Sequence, residues 1–212
     1  MLHQYFIKTP WIVKKIFFSY AWSMPANEKA IYLSFDDGPH PTITPFVLDE
    51  LKKYGAVATF FCIGDNVRKY PNVYERIITE GHAVGNHTYH HLNGWKTDVS
   101  TYLNDIAKAA ELIDSNLFRP PYGRIKKMQA RKIAAAINKT SAKIIMWDVL
   151  STDFDSTITK EQCLRNVLQH AKAGSIIVFH DSEKAFPNLQ FVLPIVMKQF
   201  AEEGYLFKKL EI

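Results

Sequence analysis

The stretch IYLSFDDGP at residues 31–39 is the most informative segment of this 212-residue chain. Residues 31–35 form a short, mainly apolar run, which predicts a buried strand. Asp36 and Asp37 stand where that strand ends, and the Gly-Pro pair after them turns the backbone. The stretch therefore places two adjacent carboxylates at the end of a buried strand.

Strand-like and helix-like segments alternate about seven times after Ala30. Predicted strands cover residues 31–35, 56–63, 82–86, 117–119, 143–149, 175–180 and 205–210. Predicted helices cover residues 44–53, 71–80, 99–113, 127–138, 159–173 and 188–203, the last interrupted near Pro194. Such alternation predicts an α/β fold in which helices connect parallel strands.

Candidate chemical residues fall at or just after the ends of these strands, namely Asp36, Asp37, His87, Arg119, Asp153 and His180. Collecting single residues from several strand ends is how a β/α barrel builds its active site. We therefore expect a single-domain barrel, with an open doubly wound sheet as the alternative.

The composition excludes several classes of function. The net charge is only +5, and the basic residues are scattered in pairs without a stripe, so we expect no nucleic-acid partner. The mild positive field suits an anionic glycan. Cys62 and Cys163 show no metal or redox spacing, and Cys62 lies in an apolar run that predicts a buried free thiol.

Residues 1–29 are expected to form a short N-terminal extension packed on the barrel. The uncharged run 16–26 is too short to span a bilayer, which takes about 20 apolar residues. It contains no clear cleavable signal peptide, so a cytoplasmic location is favoured over a periplasmic one. We expect the aromatic residues of the extension to cover the domain: Trp11, Phe17, Phe18 and Trp22.

His87 and His91 are four residues apart, so on a helical turn both imidazoles would lie on one face and reach one ion. His90, three residues from His87, is an alternative ligand. Two imidazoles and one carboxylate can hold a divalent metal with a position left open. The second carboxylate of the Asp pair then remains free to act as a base.

Two further segments carry groups suited to hydrolysis. The run RPPYG at 119–123 couples a permanent cation to a rigid turn, from which the Tyr122 N–H could point outward as an oxyanion donor. Arg119 is a candidate partner for the Asp pair. His180, beside Asp181 at the end of an apolar run, suits a general acid.

Five segments together resemble the motifs of the polysaccharide deacetylases, the nodulation-type domain also classed as carbohydrate esterase family four. The similar segments are residues 34–39, 87–91, 119–123, 148–154 and 178–180, in that order. The resemblance covers about 180 residues, which makes 30–212 the deacetylase domain. It implies a distorted (β/α)7-type barrel.

The resemblance also implies residue roles. Asp36 would be the base, His180 the acid, and Asp37, His87 and His91 the metal ligands. Arg119 would hold Asp36, and Asp153 would hold Arg119. Candidate substrate contacts are the Tyr122 amide, Trp95, Phe154 and Val178; Phe154 stands where the family often has Trp, Val178 where it often has Leu, and Ser34 where it often has Thr.

The activity implied is removal of acetyl groups from N-acetylated sugars, as in peptidoglycan or chitooligosaccharides. The implied cofactor is a divalent metal, Zn²⁺ first, with Co²⁺ or Ni²⁺ left open. An O-acetyl polysaccharide esterase would use the same residues. Two more distant alternatives are a non-haem iron oxygenase, because two histidines and a carboxylate also form that site, and a glycan-binding module without catalysis.

Overall fold

The computed structural model describes residues 5–211, which form one curled, all-parallel sheet surrounded by helices. The strands are β1 (Ala30–Asp36), β2 (Thr59–Cys62), β3 (Ala83–Asn86), β4 (Leu117–Phe118), β5 (Lys143–Ile144), β6 (Val149–Leu150), β7 (Ile176–His180) and β8 (Leu206–Phe207). The helices are α1 (Trp11–Ile16), α2 (Ile43–Lys52), α3 (Gly64–Lys69), α4 (Pro71–Thr79), α5 (Val99–Ala110), α6 (Lys127–Ala130), α7 (Ile133–Ala136), α8 (Lys160–His170) and α9 (Phe186–Glu202).

The sheet order is β5-β4-β3-β2-β1-β7-β6, and β8 pairs with the start of β1. The sequence predicted one strand over residues 143–149, which is wrong. That run forms β5 at one edge of the sheet and β6 at the opposite edge, separated by only residues 145–148. Four residues can join the two edges only because the sheet curls on itself. The distorted barrel is thus confirmed over the open sheet.

Alternation along β1 sorts its side chains between two environments, as expected for a strand. Ile31, Leu33 and Phe35 pack in the large apolar cluster that includes residues of α2 and α9. Tyr32 belongs to a separate, smaller cluster. The side chains of Ser34 and Asp36 share the face of Tyr32, which is the inner face of the barrel.

Some helix predictions need correction. α3 was not predicted, residues 127–138 form the two short helices α6 and α7, and α9 continues through Pro194 without interruption. Thr44, the first residue of the helix predicted over 44–53, lies inside α2, which begins at Ile43, and its hydroxyl donates to Asp181. The helix predicted over 159–173 is α8, and a capping box begins it, in which the side chains of Thr159 and Gln162 each accept the other residue's backbone N–H.

The described part of the extension lies beside the segment that joins β5 to β6, and bridges link Lys8 to Val149 and Ala21 to Ile145. Lys8 and Lys14 both bind the buried carboxylate of Asp148, which belongs to the four residues, 145–148, that join β5 to β6. Trp22 is buried as predicted, but Trp11, Phe17 and Phe18 are exposed, so they do not cover the domain. Their segment is anchored through its other face, because Lys14 reaches Asp148 and Trp22 donates to the Phe17 carbonyl. Among residues 5–211, no helix is long and apolar enough to cross a bilayer.

Candidate active site

The predicted site residues gather at the carboxyl end of the barrel. Asp36 and His180 are the last residues of β1 and β7, and they are direct partners in the register of these parallel strands. Neighbouring strands lie about 4.8 Å apart, so the two side chains start from adjacent positions on one edge. Asn86 ends β3 on the other side of β2, immediately before His87. The residues that the sequence places at strand ends therefore lie together at one end of the sheet.

Asp37, His87 and His91 form a group that could hold a metal ion, with one donor atom from each lying within 4.8 Å of the others. Asp37 Oδ1 is 3.2 Å from Nε2 of His91 and 3.7 Å from Nε2 of His87. Among the described residues, this buried oxygen accepts no well-aligned hydrogen bond. One carboxylate oxygen and two imidazole nitrogens are donors that zinc and related divalent ions prefer, so the residues fit a metal.

His87 is held in the protonation state that metal binding requires. Its Nδ1 lies 2.8 Å from the Arg119 carbonyl oxygen and donates its proton there, which leaves the lone pair of Nε2 facing Asp37. Burial lowers the pKa of His87 to about 4, against the opposing charges of Asp36 and Asp37. The ring is therefore neutral near pH 7.

Asp37 stays ionised despite its surroundings. Burial opposes its charge, but the imidazoles of His91, His180 and His87 outweigh burial and hold the pKa of Asp37 below its usual range. The site thus presents a negative charge between neutral or cationic rings, which suits a divalent cation.

Residues 87–91, here called the metal loop, do not form the helical turn that their spacing suggested. Thr88 and His91 have φ angles of 63° and 56°, the left-handed region that side chains other than glycine seldom occupy. The two rings converge, with centroids 5.1 Å apart, because the loop folds back. His90, the alternative ligand, turns away and pairs with Asp105.

Asp36 is buried against Arg119, which has no exposed surface. Arg119 Nη1 donates to Asp36 Oδ1 at 2.6 Å and to the Ser34 hydroxyl at 2.9 Å. The rest of the guanidinium donates to the carbonyl oxygens of Ile145 and Met146, within the crossing between β5 and β6. The cation predicted for the Asp pair is thus Arg119, and it binds Asp36 and not Asp37.

Asp153 does not hold Arg119, contrary to the role that the resemblance implied. Asp153 Oδ1 lies 2.8 Å from Nδ1 of His180, and its Oδ2 accepts the His180 backbone N–H at 2.8 Å. Burial would lower the pKa of His180, but the charge and hydrogen bond of Asp153, with the charges of Asp37 and Asp36, raise it to about 9. His180 is therefore protonated near pH 7. Besides Asp36 and Ser34, Arg119 donates to the backbone carbonyl oxygens of Ile145 and Met146, and not to Asp153.

The predicted substrate contacts surround these groups unevenly. The exposed ring of Tyr122 has its centroid 4.7 Å from that of the His91 ring. Phe154 packs edge to face against His180, with ring centroids 4.9 Å apart. Val178 is buried on β7, on the same face as His180. Trp95 is 58% exposed beside Arg124, and its indole N–H donates to the Ile125 carbonyl oxygen.

Sequence reasoning missed two buried carboxylates that support the site. Asp181 accepts the Gly38 N–H and the Thr44 hydroxyl, and burial raises its pKa to about 7. Asp105, on α5, accepts hydrogen bonds from the metal loop. An acid on the same helical face as Tyr102 and Ala109 was a usable signal for Asp105, because unpaired acids seldom occupy a buried face.

Comparison with known proteins gives a consistent result. The family profile described as polysaccharide deacetylase matches residues 23–142. A peptidoglycan-N-acetylglucosamine deacetylase of Bacillus cereus is 36% identical over 178 residues, covering 81% of this chain and 62% of the relative's length. A chitooligosaccharide deacetylase of Azorhizobium caulinodans is 35% identical, with 73% and 75% covered.

A crystal structure shows the same architecture. The Bc1960 peptidoglycan N-acetylglucosamine deacetylase, solved with 4-naphthalen-1-yl-N-oxidanyl-benzamide, superposes with a TM-score of 0.83 at 33% identity and 95% coverage of both chains. The fold, the profile match over more than half of the chain and the identity to these relatives agree. This chain belongs to the polysaccharide deacetylase family.

Proposed function

We propose that this protein removes acetyl groups from N-acetylated sugars of a glycan by metal-assisted hydrolysis. The observation that carries the proposal is the convergence of Asp37, His87 and His91 within 4.8 Å, next to the paired strand ends of Asp36 and His180. A metal-binding group flanked by a separate base and a separate acid is what amide hydrolysis needs.

The metal would be held by Asp37, His87 and His91. When bound, a divalent ion polarises a carbonyl and lowers the pKa of water towards about 7. We propose Zn²⁺ first, with Co²⁺ or Ni²⁺ as alternatives, because the set of one oxygen and two nitrogen donors suits all three.

Asp36 is proposed as the base. It lies next to the ligand Asp37 in sequence, yet its Oδ1 is bound to Arg119 Nη1. The guanidinium fixes the orientation of the carboxylate, so its other oxygen can take a proton from water. The buried Ser34 hydroxyl, which also accepts from Arg119, supports this orientation.

His180 is proposed as the acid that protonates the departing amine. A pKa of about 9 keeps its proton available near neutral pH, and Asp153 fixes the ring through Nδ1 so that Nε2 carries the proton to be donated. Phe154 packs edge to face against this ring.

The Tyr122 N–H is proposed to stabilise the oxyanion. Two prolines precede it, and its φ of 60° turns the backbone at this point. Preorganised N–H donors of this kind contribute about 10²–10³ in rate. The exposed rings of Tyr122 and Trp95 are proposed to contact the sugar.

The test measures acetate released from chitooligosaccharides, peptidoglycan and acetylated xylan. We expect acetate from one of the first two substrates, loss after chelation, and recovery when Zn²⁺, Co²⁺ or Ni²⁺ is added. Acetate from acetylated xylan alone would identify an O-acetyl esterase, and glycan binding without acetate release would identify a binding module. Asp49→Asn, which removes an exposed carboxylate, serves as the control and should retain full activity.

A further inference from the structure

Asp105 is a buried carboxylate that takes no part in the proposed chemistry. It lies in the middle of α5, on the face that packs against the barrel with Tyr102, Ile106 and Ala109. A carboxylate on such a face needs donors, because burying an unpaired charge is costly. The donors come from the metal loop and not from a lysine or arginine.

Three hydrogen bonds join Asp105 to the metal loop. Its Oδ2 accepts the backbone N–H groups of Tyr89 and His90, both at 2.9 Å, and its Oδ1 lies 2.5 Å from Nδ1 of His90. These residues lie between the two histidine ligands. One carboxylate thus binds the middle of the segment whose ends must reach the same ion.

The loop has a shape that its own sequence does not favour. Thr88 and His91 both have left-handed φ angles, which persist only where surrounding contacts impose them. On the side of α3, the carbonyls of Thr88 and Tyr89 accept from the N–H groups of Gly64 and Asp65. The N–H groups of Tyr89 and His90 point the other way, to Asp105.

We propose that Asp105 is a positioning residue that holds the metal loop in its ion-binding conformation. Its two accepted backbone N–H groups keep residues 89 and 90 folded back, so that His87 and His91 approach Asp37. The inference concerns the site of the proposed function, but it rests on metal binding and loop structure and not on any glycan.

The experiment measures the Zn²⁺ dissociation constant of the purified protein by competition with a chromophoric chelator. Asp105→Ala should weaken binding about 10–100-fold, the range found when residues that orient ligands are removed. Asp105→Asn keeps a carbonyl oxygen for the two N–H groups, so its Zn²⁺ affinity should fall less than that of Asp105→Ala. His90→Ala removes only the imidazole contact and should change binding less than threefold.

Asp98→Asn is the matched control, because it removes one charge at the N-cap of the same helix. Asp98 caps α5 by accepting the Thr101 N–H, and Asn is an equally good cap, so its Zn²⁺ affinity should equal that of the unmodified protein. A second measurement is the rate of backbone amide hydrogen exchange in the metal-free protein. Asp105→Ala should speed exchange at the amides of residues 89 and 90 while the strands keep their protection.

An Asp105→Ala protein with unchanged Zn²⁺ affinity would overturn the inference, and so would an equal loss in Asp98→Asn. Unaltered exchange at residues 89 and 90 would also contradict it. If the unmodified protein binds Zn²⁺ but releases no acetate, the proposed function fails while the inference about Asp105 is still decided by these affinities.

Discussion

The metal loop and the buried Asp36–Arg119 pair lie at the same end of the barrel, but different forces hold them. Asp36 ends strand β1 and Arg119 directly follows strand β4, and the geometry of the pair comes from a charge-assisted hydrogen bond between two buried side chains. The metal loop has irregular backbone, and its geometry comes from hydrogen bonds between its peptide groups and neighbouring elements.

This difference predicts where the cost of a substitution appears. Removing one charge of a buried pair leaves the other without a partner, so the fold itself loses stability. Releasing a loop that other contacts hold costs less global stability, because loops open locally. The pair should therefore govern stability and proton transfer, and the loop should govern metal affinity.

The largest expected effect is on turnover. Asp36→Asn removes the proposed base, and general-base catalysis contributes about 10²–10⁴-fold, so acetate release should fall by that factor. Zn²⁺ affinity should stay within threefold, because Asp36 is not among the ligands. Steady-state kinetics and chelator competition measure both. A variant that lost its metal would show that the pair and the loop do not act separately.

Arg119→Met tests the stability of the pair. Breaking a buried ion pair typically costs about 3–5 kcal/mol, so the free energy of unfolding in urea should fall by that amount. Arg131→Met, at an exposed position, should stay within about 0.5 kcal/mol. Adding Asp36→Asn to Arg119→Met should recover part of the loss, since no charge then remains buried. A double variant less stable than Arg119→Met would contradict the ion-pair explanation.

His87→Ala tests the loop in the same way. Zn²⁺ affinity should fall more than 100-fold, beyond the range for residues that only orient ligands. The metal-free protein should lose less stability than Arg119→Met, because His87 is neutral and its loss leaves no buried charge. Calorimetry of the metal-free proteins makes this comparison. If His87→Ala kept its full metal content, the assignment of the metal site to this loop would be wrong.

The smallest effect concerns pH. Because His180 must be protonated to act as an acid, kcat/KM should fall as pH rises through about 9. Asp153→Asn removes the charge that raises the pKa of His180, so burial, which lowers it, prevails and the decline should begin at lower pH. The exposed control Asp114→Asn should leave the profile unchanged. An unmoved decline in Asp153→Asn would exclude His180 as the group that titrates.

The same pKa shift has a consequence for stability. The pKa of His180 is higher in the folded protein than the ordinary value of 6.5, so folding binds its proton more tightly. That contribution is fully present below about pH 6.5 and is lost as pH rises through about 9.

The positions of Asp36 and His180 at strand ends were predictable, because a strand is recognised from the pattern of neighbouring residues in the sequence. The apolar run before Asp36 and the one before His180 each predicted a strand, and parallel strands bring their carboxyl ends to one edge. The position of both residues at that edge follows directly, and the structure confirms it.

The partners of these residues were less predictable. Asp153 was expected at Arg119 but binds His180, and Arg119 instead binds backbone carbonyls of Ile145 and Met146. Those carbonyls are free for the guanidinium because residues 145–148 leave one sheet edge and reach the other. No local pattern in the run 143–149 marks that break.

Sequence alone was enough to predict the alternation of strands and helices, the ends of the strands that carry Asp36 and His180, and the donor types available for a metal. The tertiary structure was needed to show that the sheet curls until four residues join its two edges, that the metal loop takes left-handed turns at Thr88 and His91, and that Asp105 accepts hydrogen bonds from that loop. The reason is physical. Periodicity and turn chemistry act between neighbours in the chain, whereas closure and buried hydrogen bonds depend on which distant segments the packed core brings together.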